Sequence, residues 1–380
     1  VKAGSGKLIA LAIGILAVII LGTRMPFLFY WENRTVPKQP ASKATLQEAR
    51  YYRKLDNNRV QCQTCFRECI VEEGEKGFCR NRINKKGIYY TLVYALPCAV
   101  QIDPIEKEPA FHMLPGTRIF CLATASCNNR CLFCHNWHIS QRGPEETTNY
   151  YMSPEEVVQK AIEYECPTIS FTYTEPTVFY EYMYDISRLA KQKGIRILFH
   201  SNGSMNPEPL KDLLKYTDAV TIDLKSFDPE FYRKISSSER DPVLRTLKII
   251  RQAKVHLEIV NLIIPTLNDN GEKIQEMCRW IKENLGADTP IHFNRFFPSH
   301  KLTNLPPTPV ETLEAAREIA LKQGLKFVYV GNVPGHKYNS TFCPHCGKVA
   351  LERVHFMVLN NYLVDGKCKF CGYRIRGIWK

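Results

Sequence analysis

Cys127, Cys131 and Cys134 are the residues of this chain best placed to do chemistry. They sit in the run Ser126-Cys127-Asn128-Asn129-Arg130-Cys131-Leu132-Phe133-Cys134-His135-Asn136-Trp137. The spacing, C-x3-C-x2-C, puts three thiolates on one short loop. Three thiolates can hold three irons of a [4Fe–4S] cluster. The fourth iron then has no protein ligand and is open to a small molecule, as the cluster of a four-cysteine electron carrier is not. The same sulfurs also fit zinc, because Cys121, six residues upstream, can complete a closed tetrahedral site. Spacing alone leaves both readings open.

Two further cysteine groups shift the balance toward the cluster, since they take the structural-metal role themselves. Cys343-Pro344-His345-Cys346-Gly347 and Cys368-Lys369-Phe370-Cys371-Gly372 are two C-x2-C-G knuckles separated by 21 residues, the pattern of a zinc ribbon. Each glycine permits the tight turn that a knuckle needs. A rubredoxin-like iron site shares the spacing. Cys62, Cys65, Cys69 and Cys79 form another full quartet. Zinc is the default for a closed quartet, and an auxiliary iron–sulfur cluster that feeds electrons to the first is the alternative. The chain has fifteen cysteines in all. Their grouping is that of metal ligands in a reducing compartment, not of disulfides. Cys98, Cys121, Cys166 and Cys278 lie in apolar surroundings and read as buried thiols.

The elements that must position these groups follow from the hydrophobic pattern. The 380 residues suffice for one large domain or two ordinary ones. From 110 to 335, short apolar runs alternate with amphipathic stretches, the rhythm of a parallel sheet. Strands are expected at Arg118–Ala123, Thr168–Thr172, Arg196–His200, Ala219–Leu224, His256–Ile264, Ile291–Phe296 and Lys326–Val330. Helices are expected near 153–165, 179–193, 207–215, 241–253, 270–284 and 310–323, and a short one around 44–55. The fold class is α/β, an incomplete parallel (β/α) barrel with ligands at the C-terminal ends of its strands. The expected division is an anchor over 1–31, a basic linker over 32–60, a cysteine-rich metal module over 61–109, the barrel over 110–335 and a zinc-ribbon-like module over 336–380.

The net charge of +13 is uneven. Residues 1–60 carry ten Lys/Arg against three Asp/Glu, and residues 341–380 seven against two, so +7 and +5 leave +1 for residues 61–340. A nearly neutral middle argues against a broad nucleic-acid surface there. Residues Leu8 to Gly22 are apolar throughout and continue into Met25-Pro26-Phe27-Leu28-Phe29-Tyr30-Trp31. This reads as an uncleaved transmembrane helix with an aromatic belt, a signal peptide being the alternative. The basic residues that follow outnumber Lys2 and Lys7, so the positive-inside rule predicts a single-pass membrane protein with its body on the cytoplasmic side.

The cysteine loop with Phe133 resembles the radical S-adenosylmethionine (SAM) superfamily. From residue 61 to the end, the chain is similar to the AmmeMemoRadiSam-system radical SAM proteins, relatives of pyruvate formate-lyase activating enzyme. The resemblance rests on the early quartet, Asp103-Pro104-Ile105-Glu106-Lys107-Glu108-Pro109, His112-Met113-Leu114-Pro115-Gly116, Cys134-His135-Asn136-Trp137-His138-Ile139-Ser140-Gln141, Val330-Gly331-Asn332-Val333-Pro334-Gly335 and the terminal ribbon. It implies a barrel of radical SAM type whose open cluster, on Cys127, Cys131 and Cys134, chelates SAM and cleaves it reductively to a 5′-deoxyadenosyl radical. It further implies that Phe133 covers the adenine and that Glu175 receives the amino group, standing alone where the superfamily has Gly-Gly-Glu. Ser201 and Asn202 lie near SAM, Asp223 and Lys225 bind sugar hydroxyls and carboxylate, and His300 contacts the cofactor. Ala125-Ser126 replaces a glycine-rich lead-in, His135 stands for glutamine, and Phe297 for histidine.

The function implied is a membrane-anchored radical SAM enzyme that abstracts hydrogen from a protein, as an activase does, or from a small molecule. Its cofactors would be the [4Fe–4S] cluster, SAM and zinc. Its partners would be the membrane, a membrane protein or glycyl-radical-type protein, and a reductant such as ferredoxin or flavodoxin. A non-catalytic iron–sulfur subunit of a membrane complex is the alternative. A nucleic-acid-modifying enzyme is the least favoured, given the neutral middle.

Overall fold

The computed structural model describes residues 39–40 and 46–380. Its centre is an eight-stranded sheet: β1 Ala99–Pro104, β2 Arg118–Ala123, β3 Thr168–Phe171, β4 Arg196–Ser201, β5 Ala219–Asp223, β6 His256–Ile263, β7 Ile291–Arg295 and β8 Val328–Gly331. The strands lie in sequential order from β1 at one edge to β8 at the other. All neighbours from β2 to β8 are parallel, and β1 alone runs antiparallel, Ala99 opposite Ala123 and Pro104 opposite Arg118. Thr168 pairs with both Ile119 and Arg196, so β2, β3 and β4 begin nearly level with one another.

Parallel neighbours need crossovers, and helices supply them. They are α1 Pro154–Glu163, α2 Tyr180–Gln192, α3 Pro207–Leu214, α4 Pro229–Ser236, α5 Arg240–Gln252, α6 Gly271–Leu285 and α7 Val310–Lys322. With helices packed over them, the strands are buried along nearly their whole length and read as continuous apolar runs. Helix α1 shows how local sequence sets an end. The Ser153 hydroxyl accepts from Glu156 N at 3.2 Å, the Glu156 carboxylate accepts from Ser153 N at 2.8 Å, and Pro154 occupies the first helical position. Val157, Val158 and Ala161 then form the buried stripe.

All seven expected parallel strands and the six expected helices after residue 110 are present, with ends displaced by a few residues. Two elements were not expected. Strand β1 falls in a stretch assigned to the cysteine module, and α4 is a short helix fenced by Pro229 and the run Ser236-Ser237-Ser238. The helix expected around 44–55 is corrected. Gln47–Glu48 and Tyr52–Lys54 are strands, paired with Tyr90–Thr91 and Val60–Cys62. Between them Ala49 N donates to Tyr89 O at 2.8 Å and Arg50 N to the Glu181 carboxylate at 2.9 Å. Pairing outside the segment, not within it, satisfies its backbone.

The membrane placement is also corrected. Among the described residues no helix is long and apolar enough to cross a membrane. The longest described helix, α6, has 15 residues and buries one stripe only. The apolar run 8–22 on which the anchor and the cytoplasmic-side body rested lies outside the described residues.

The C-terminal module is a three-stranded antiparallel sheet, Thr341–Phe342, Val349–Val354 and Met357–Asn361, followed by the pair Leu363–Val364 and Lys367–Cys368. It is fastened to the N-terminal ends of the central strands. Arg353 is 2 % exposed and donates to Phe111 O at 2.6 Å and to Thr341 Oγ1 at 2.8 Å. His112 Nδ1 donates to Arg376 O at 2.8 Å, so its Nε2 accepts from the Tyr329 hydroxyl at 2.6 Å. At the centre stands Glu258, 1 % exposed. It accepts from His112 N at 2.7 Å, His256 Nε2 at 3.0 Å and His292 Nε2 at 2.7 Å. Burial by itself would raise this carboxyl, but the bonds from His256 and His292 outweigh it and hold the group well below the usual range. Burial pulls the His112 imidazole down to about 3, so it serves as a neutral ligand of the network.

Replacing Glu258 with Ala is expected to cost about 3 kcal/mol at neutral pH, because it strands three buried donors. The depressed folded-state pKa sets the sign of the pH effect. The stabilisation is complete above the unfolded value, near 4.3, and fades as pH falls through the folded one. Denaturant unfolding should therefore show a gap between wild type and Glu258→Ala that narrows from pH 7 to pH 3.

Candidate active site

A cavity of about 310 Å³ opens at the C-terminal ends of the central strands. Cys127, Cys131, Cys134, Phe133, Glu175, Ser201, Asn202, Asp223 and Lys225 all line it. These residues come from the loop after β2 and the ends of the next three strands, β3, β4 and β5, spread over 99 positions of sequence. His300 does not line the cavity. It stacks on Trp137 with ring centroids 5.5 Å apart.

The cysteine loop has no regular structure of its own until Trp137–Ser140, so other elements hold it. Arg130 N donates to Ser236 O at 3.0 Å and Leu132 N to Ile235 O at 2.9 Å, both at the end of α4. Lys301 N donates to Leu132 O at 2.9 Å. Ser126 enters the loop with φ +74 and is fully buried. That left-handed conformation favours glycine, which is where the resemblance places a glycine-rich lead-in. Here Ser126 N donates to Ile139 O at 2.8 Å and its hydroxyl donates to Cys79 O.

Glu175 follows β3 and is 2 % exposed. One oxygen accepts from Thr177 N at 3.1 Å, Thr177 Oγ1 at 2.5 Å and Ser201 Oγ at 2.8 Å, and the other from Asn202 N at 2.8 Å. Burial still prevails over these bonds and raises its pKa. A cation entering the cavity would restore the anion. Across the strand ends, Asp223 accepts from Lys225 Nζ at 2.7 Å and from His200 Nε2 at 3.0 Å. Burial would raise the Asp223 carboxyl, but Lys225 and then His200 outweigh it and bring it below the usual range. Burial would lower the Lys225 ammonium, and Asp223 reverses that. The Lys225 backbone is itself pinned, its N–H donating to Tyr232 Oη at 3.0 Å and its carbonyl accepting from Asn268 Nδ2 at 2.7 Å. Its ammonium lies 5.7 Å from the Phe133 ring centroid. One of its three donors is spent on Asp223, leaving two for a ligand.

The cysteines separate into two geometries. Cys343, Cys346, Cys368 and Cys371 bring all four sulfurs within 4.8 Å of one another. The pairs Cys343–Cys371 and Cys346–Cys368 stand 3.6 and 3.8 Å apart. Two ligands of a tetrahedral ion with zinc–sulfur bonds near 2.3 Å stand about 3.8 Å apart, so this quartet fits a single metal ion. Among the described residues the loop thiols of Cys127, Cys131 and Cys134 are not gathered in that way. Three thiols lining one cavity are the donor set that a [4Fe–4S] cluster with one open iron takes. Cys121 does not join them. It is fully buried in β2 and its thiol donates to Glu108 Oε1 at 3.1 Å, which removes the zinc alternative built on it. Burial, then Glu175, keeps the free Cys127 thiol protonated, so a metal must displace that proton on binding.

Glu108, Tyr173 and His200 also line the cavity and carried no assigned role in the sequence. Glu108, 2 % exposed, has Oε2 3.8 Å from His200 Nδ1, and Tyr173 donates to Asp103 Oδ2 at 2.5 Å. His200 thus links Glu108 to Asp223. The run Glu106-Lys107-Glu108-Pro109 was a visible signal, but only the unexpected β1 and the turn after it carry Glu108 to the cavity.

Residues 122–281 match the sequence pattern of the radical SAM superfamily. An uncharacterized protein of Methanocaldococcus jannaschii is 47 % identical over 332 residues, covering 87 % of this chain and 99 % of its own. The pyruvate formate-lyase-activating enzyme of Clostridium pasteurianum is 28 % identical over 165 residues, 41 % of this chain and 66 % of that one. The pyruvate formate-lyase 1-activating enzyme of Escherichia coli is 23 % identical over 230 residues, 57 % of this chain and 93 % of that one.

Cys346→Ser is expected to remove the metal from the C-terminal quartet and lower the melting midpoint by several degrees, since metal binding and folding are coupled there. Metal analysis beside a thermal scan checks both.

Proposed function

The chain belongs to the radical SAM superfamily, and on that premise we propose that it is an activase-like enzyme acting on a C–H bond of a partner protein. It is an enzyme whose family cofactors are a [4Fe–4S] cluster and SAM. The observation that carries the reading is that one cavity holds the three loop thiols, the lone acid Glu175 and the Asp223–Lys225 pair. Bound there, cluster and SAM supply a one-electron reductive cleavage that lets a hydrogen atom be taken from the substrate.

The protein's part is to bind, orient and exclude water. Cys127, Cys131 and Cys134 are the thiolate ligands. Glu175, kept in one orientation by Thr177, Ser201 and the Asn202 N–H, receives the ammonium of the methionine end; a charge-assisted bond is strongest where water is absent. Lys225 offers its remaining donors to the methionine carboxylate. Asp223 is ionised and uses only part of its accepting capacity on His200 and Lys225, leaving the rest for ribose hydroxyls. Phe133, 6 % exposed beside Cys134, provides an apolar face for the adenine. A structural role for the quartet Cys343, Cys346, Cys368 and Cys371, with zinc as the ion, suits its closed coordination.

The similarity to pyruvate formate-lyase-activating enzymes supports a glycine Cα–H in a partner protein as the target, and a low-potential one-electron carrier such as ferredoxin or flavodoxin as the reductant. The open mouth of the cavity suits a backbone segment offered by a partner. A non-catalytic iron–sulfur subunit has no use for an acid and a cation arranged around its open site, and that alternative is set aside.

After anaerobic loading with iron and sulfide, the chain with dithionite and SAM is expected to release 5′-deoxyadenosine, and Cys131→Ala to release none. Absence of the product from wild type with its cluster intact refutes the proposal. Glu175→Gln and Lys225→Ala should each weaken SAM binding at least tenfold, about 1.4 kcal/mol, measured by equilibrium dialysis.

A further inference from the structure

The early quartet, Cys62, Cys65, Cys69 and Cys79, lies apart from the cavity and is not used by the reaction. Cys62 ends the strand Val60–Cys62. Cys62 N donates to Cys69 O at 2.9 Å, which folds Cys65 and Cys69 back over it. Cys79 arrives from the turn ahead of the strand Arg82–Lys85. Tyr89, 1 % exposed, lies close to Cys62, Cys69 and Cys79. Yet among the described residues these sulfurs, like those of the loop at 127–134, are not drawn within the 4.8 Å that gathers the C-terminal quartet. Among the described residues only the C-terminal quartet shows the close packing of a single ion.

The early quartet sits directly against the loop of Cys127, Cys131 and Cys134. Asn81 Nδ2 donates to Ala125 O at 2.6 Å, Arg67 Nε to Asn128 O at 2.5 Å, and Arg130 Nη2 to Phe78 O at 2.7 Å. Met205 forms a β-bridge with Cys65. Asn128, the residue after Cys127, stands against the Cys65 thiol and bonds Asn202 Nδ2 at 2.8 Å. A single side chain therefore spans the two sets. Cations occupy the seam: Arg67 faces Cys65, Cys69 and Cys127, and Arg130 faces Cys127 and Cys79. Arg82, 1 % exposed and bidentate to Glu181, faces Cys62 and Cys79. Two anionic iron–sulfur centres placed side by side repel, and the guanidinium groups of Arg67, Arg82 and Arg130 offset that repulsion.

We propose that Cys62, Cys65, Cys69 and Cys79 hold a second [4Fe–4S] cluster, which passes electrons to the cluster on Cys127, Cys131 and Cys134. One electron from a low-potential iron–sulfur or flavin carrier reduces the module's cluster from the 2+ to the 1+ state. That electron then moves to the loop cluster, reducing it from 2+ to 1+ and returning the first to 2+. No bond is made or broken in the hop, and no proton is transferred. The cluster assignment stands on this chain's cysteines alone; the relay rests on the radical SAM reading above.

The deciding experiment uses the full chain with all three loop cysteines replaced (Cys127→Ala, Cys131→Ala, Cys134→Ala), loaded anaerobically with iron and sulfide in the presence of zinc. The module is untouched in this variant. It is expected to keep about four irons and four sulfides and, after dithionite, a reduced-cluster EPR signal that SAM does not change. Wild type should hold about eight irons. Loss of all iron from the triple variant, with zinc near two per chain in its place, overturns the cluster. For the relay, Cys62→Ala with Cys65→Ala should slow reduction of the loop cluster by reduced ferredoxin at least tenfold, read as the SAM-sensitive EPR signal. An unchanged rate overturns the relay. Failure to form 5′-deoxyadenosine in wild type would count against the radical SAM reading and leave the iron content of the triple variant unaffected.

Discussion

A loop that carries three thiols and almost no secondary structure cannot position them by itself. Here its backbone is gripped from three sides: by the end of α4 through Ser236 and Ile235, by Lys301, and by the cysteine module through Asn81, Cys79 and Arg67. Most of these grips spend a peptide group of the loop on a partner distant in sequence, and the Cys79 contact uses the Ser126 hydroxyl. The rest of the site is arranged around that fixed loop. Its strained entry at Ser126 is tolerated because both the amide and the hydroxyl of that residue are bonded.

Charge at the cavity is organised by burial. Burial raises the Glu175 pKa despite its donors, while Asp223 and Lys225 stabilise each other's charged forms. The cavity therefore holds a neutralised ion pair on one side and an acid awaiting a positive partner on the other. An amino acid sulfonium answers both. The opposite ends of the same strands carry a different arrangement. Glu258, His112 and Arg353 make a closed network that joins β6, β7 and β8 to the C-terminal module. One end of the sheet is tied to the C-terminal module by buried hydrogen bonds, and the other carries the cavity with its acids, thiols and Lys225.

Much of this was legible residue by residue. The alternation of apolar runs and amphipathic stretches named the seven parallel strands, because each is buried on both faces and needs a helix to cover it. The order of Cys127, Glu175, Ser201 and Asp223 along the chain matched the order of strand ends. Less legible were β1, whose Pro104 and charged successors look like loop, and α4, too short for a periodic signal. Glu108 was missed with β1, because its approach to His200 depends on an antiparallel return that no local pattern announces. His300 was drawn toward the cofactor by its surrounding motif, whereas it stacks on Trp137 outside the cavity.

By itself, the sequence determined the ligand sets, the fold class and the residues at the strand ends, since cysteine spacing and hydrophobic period are local properties. Tertiary structure alone decided that the four sulfurs of the C-terminal quartet meet within reach of a single ion. It alone brought the early quartet against the cysteine loop, through hydrogen bonds between residues some 45 to 60 positions apart. Distances of that kind arise from packing, and no spacing along a chain encodes them.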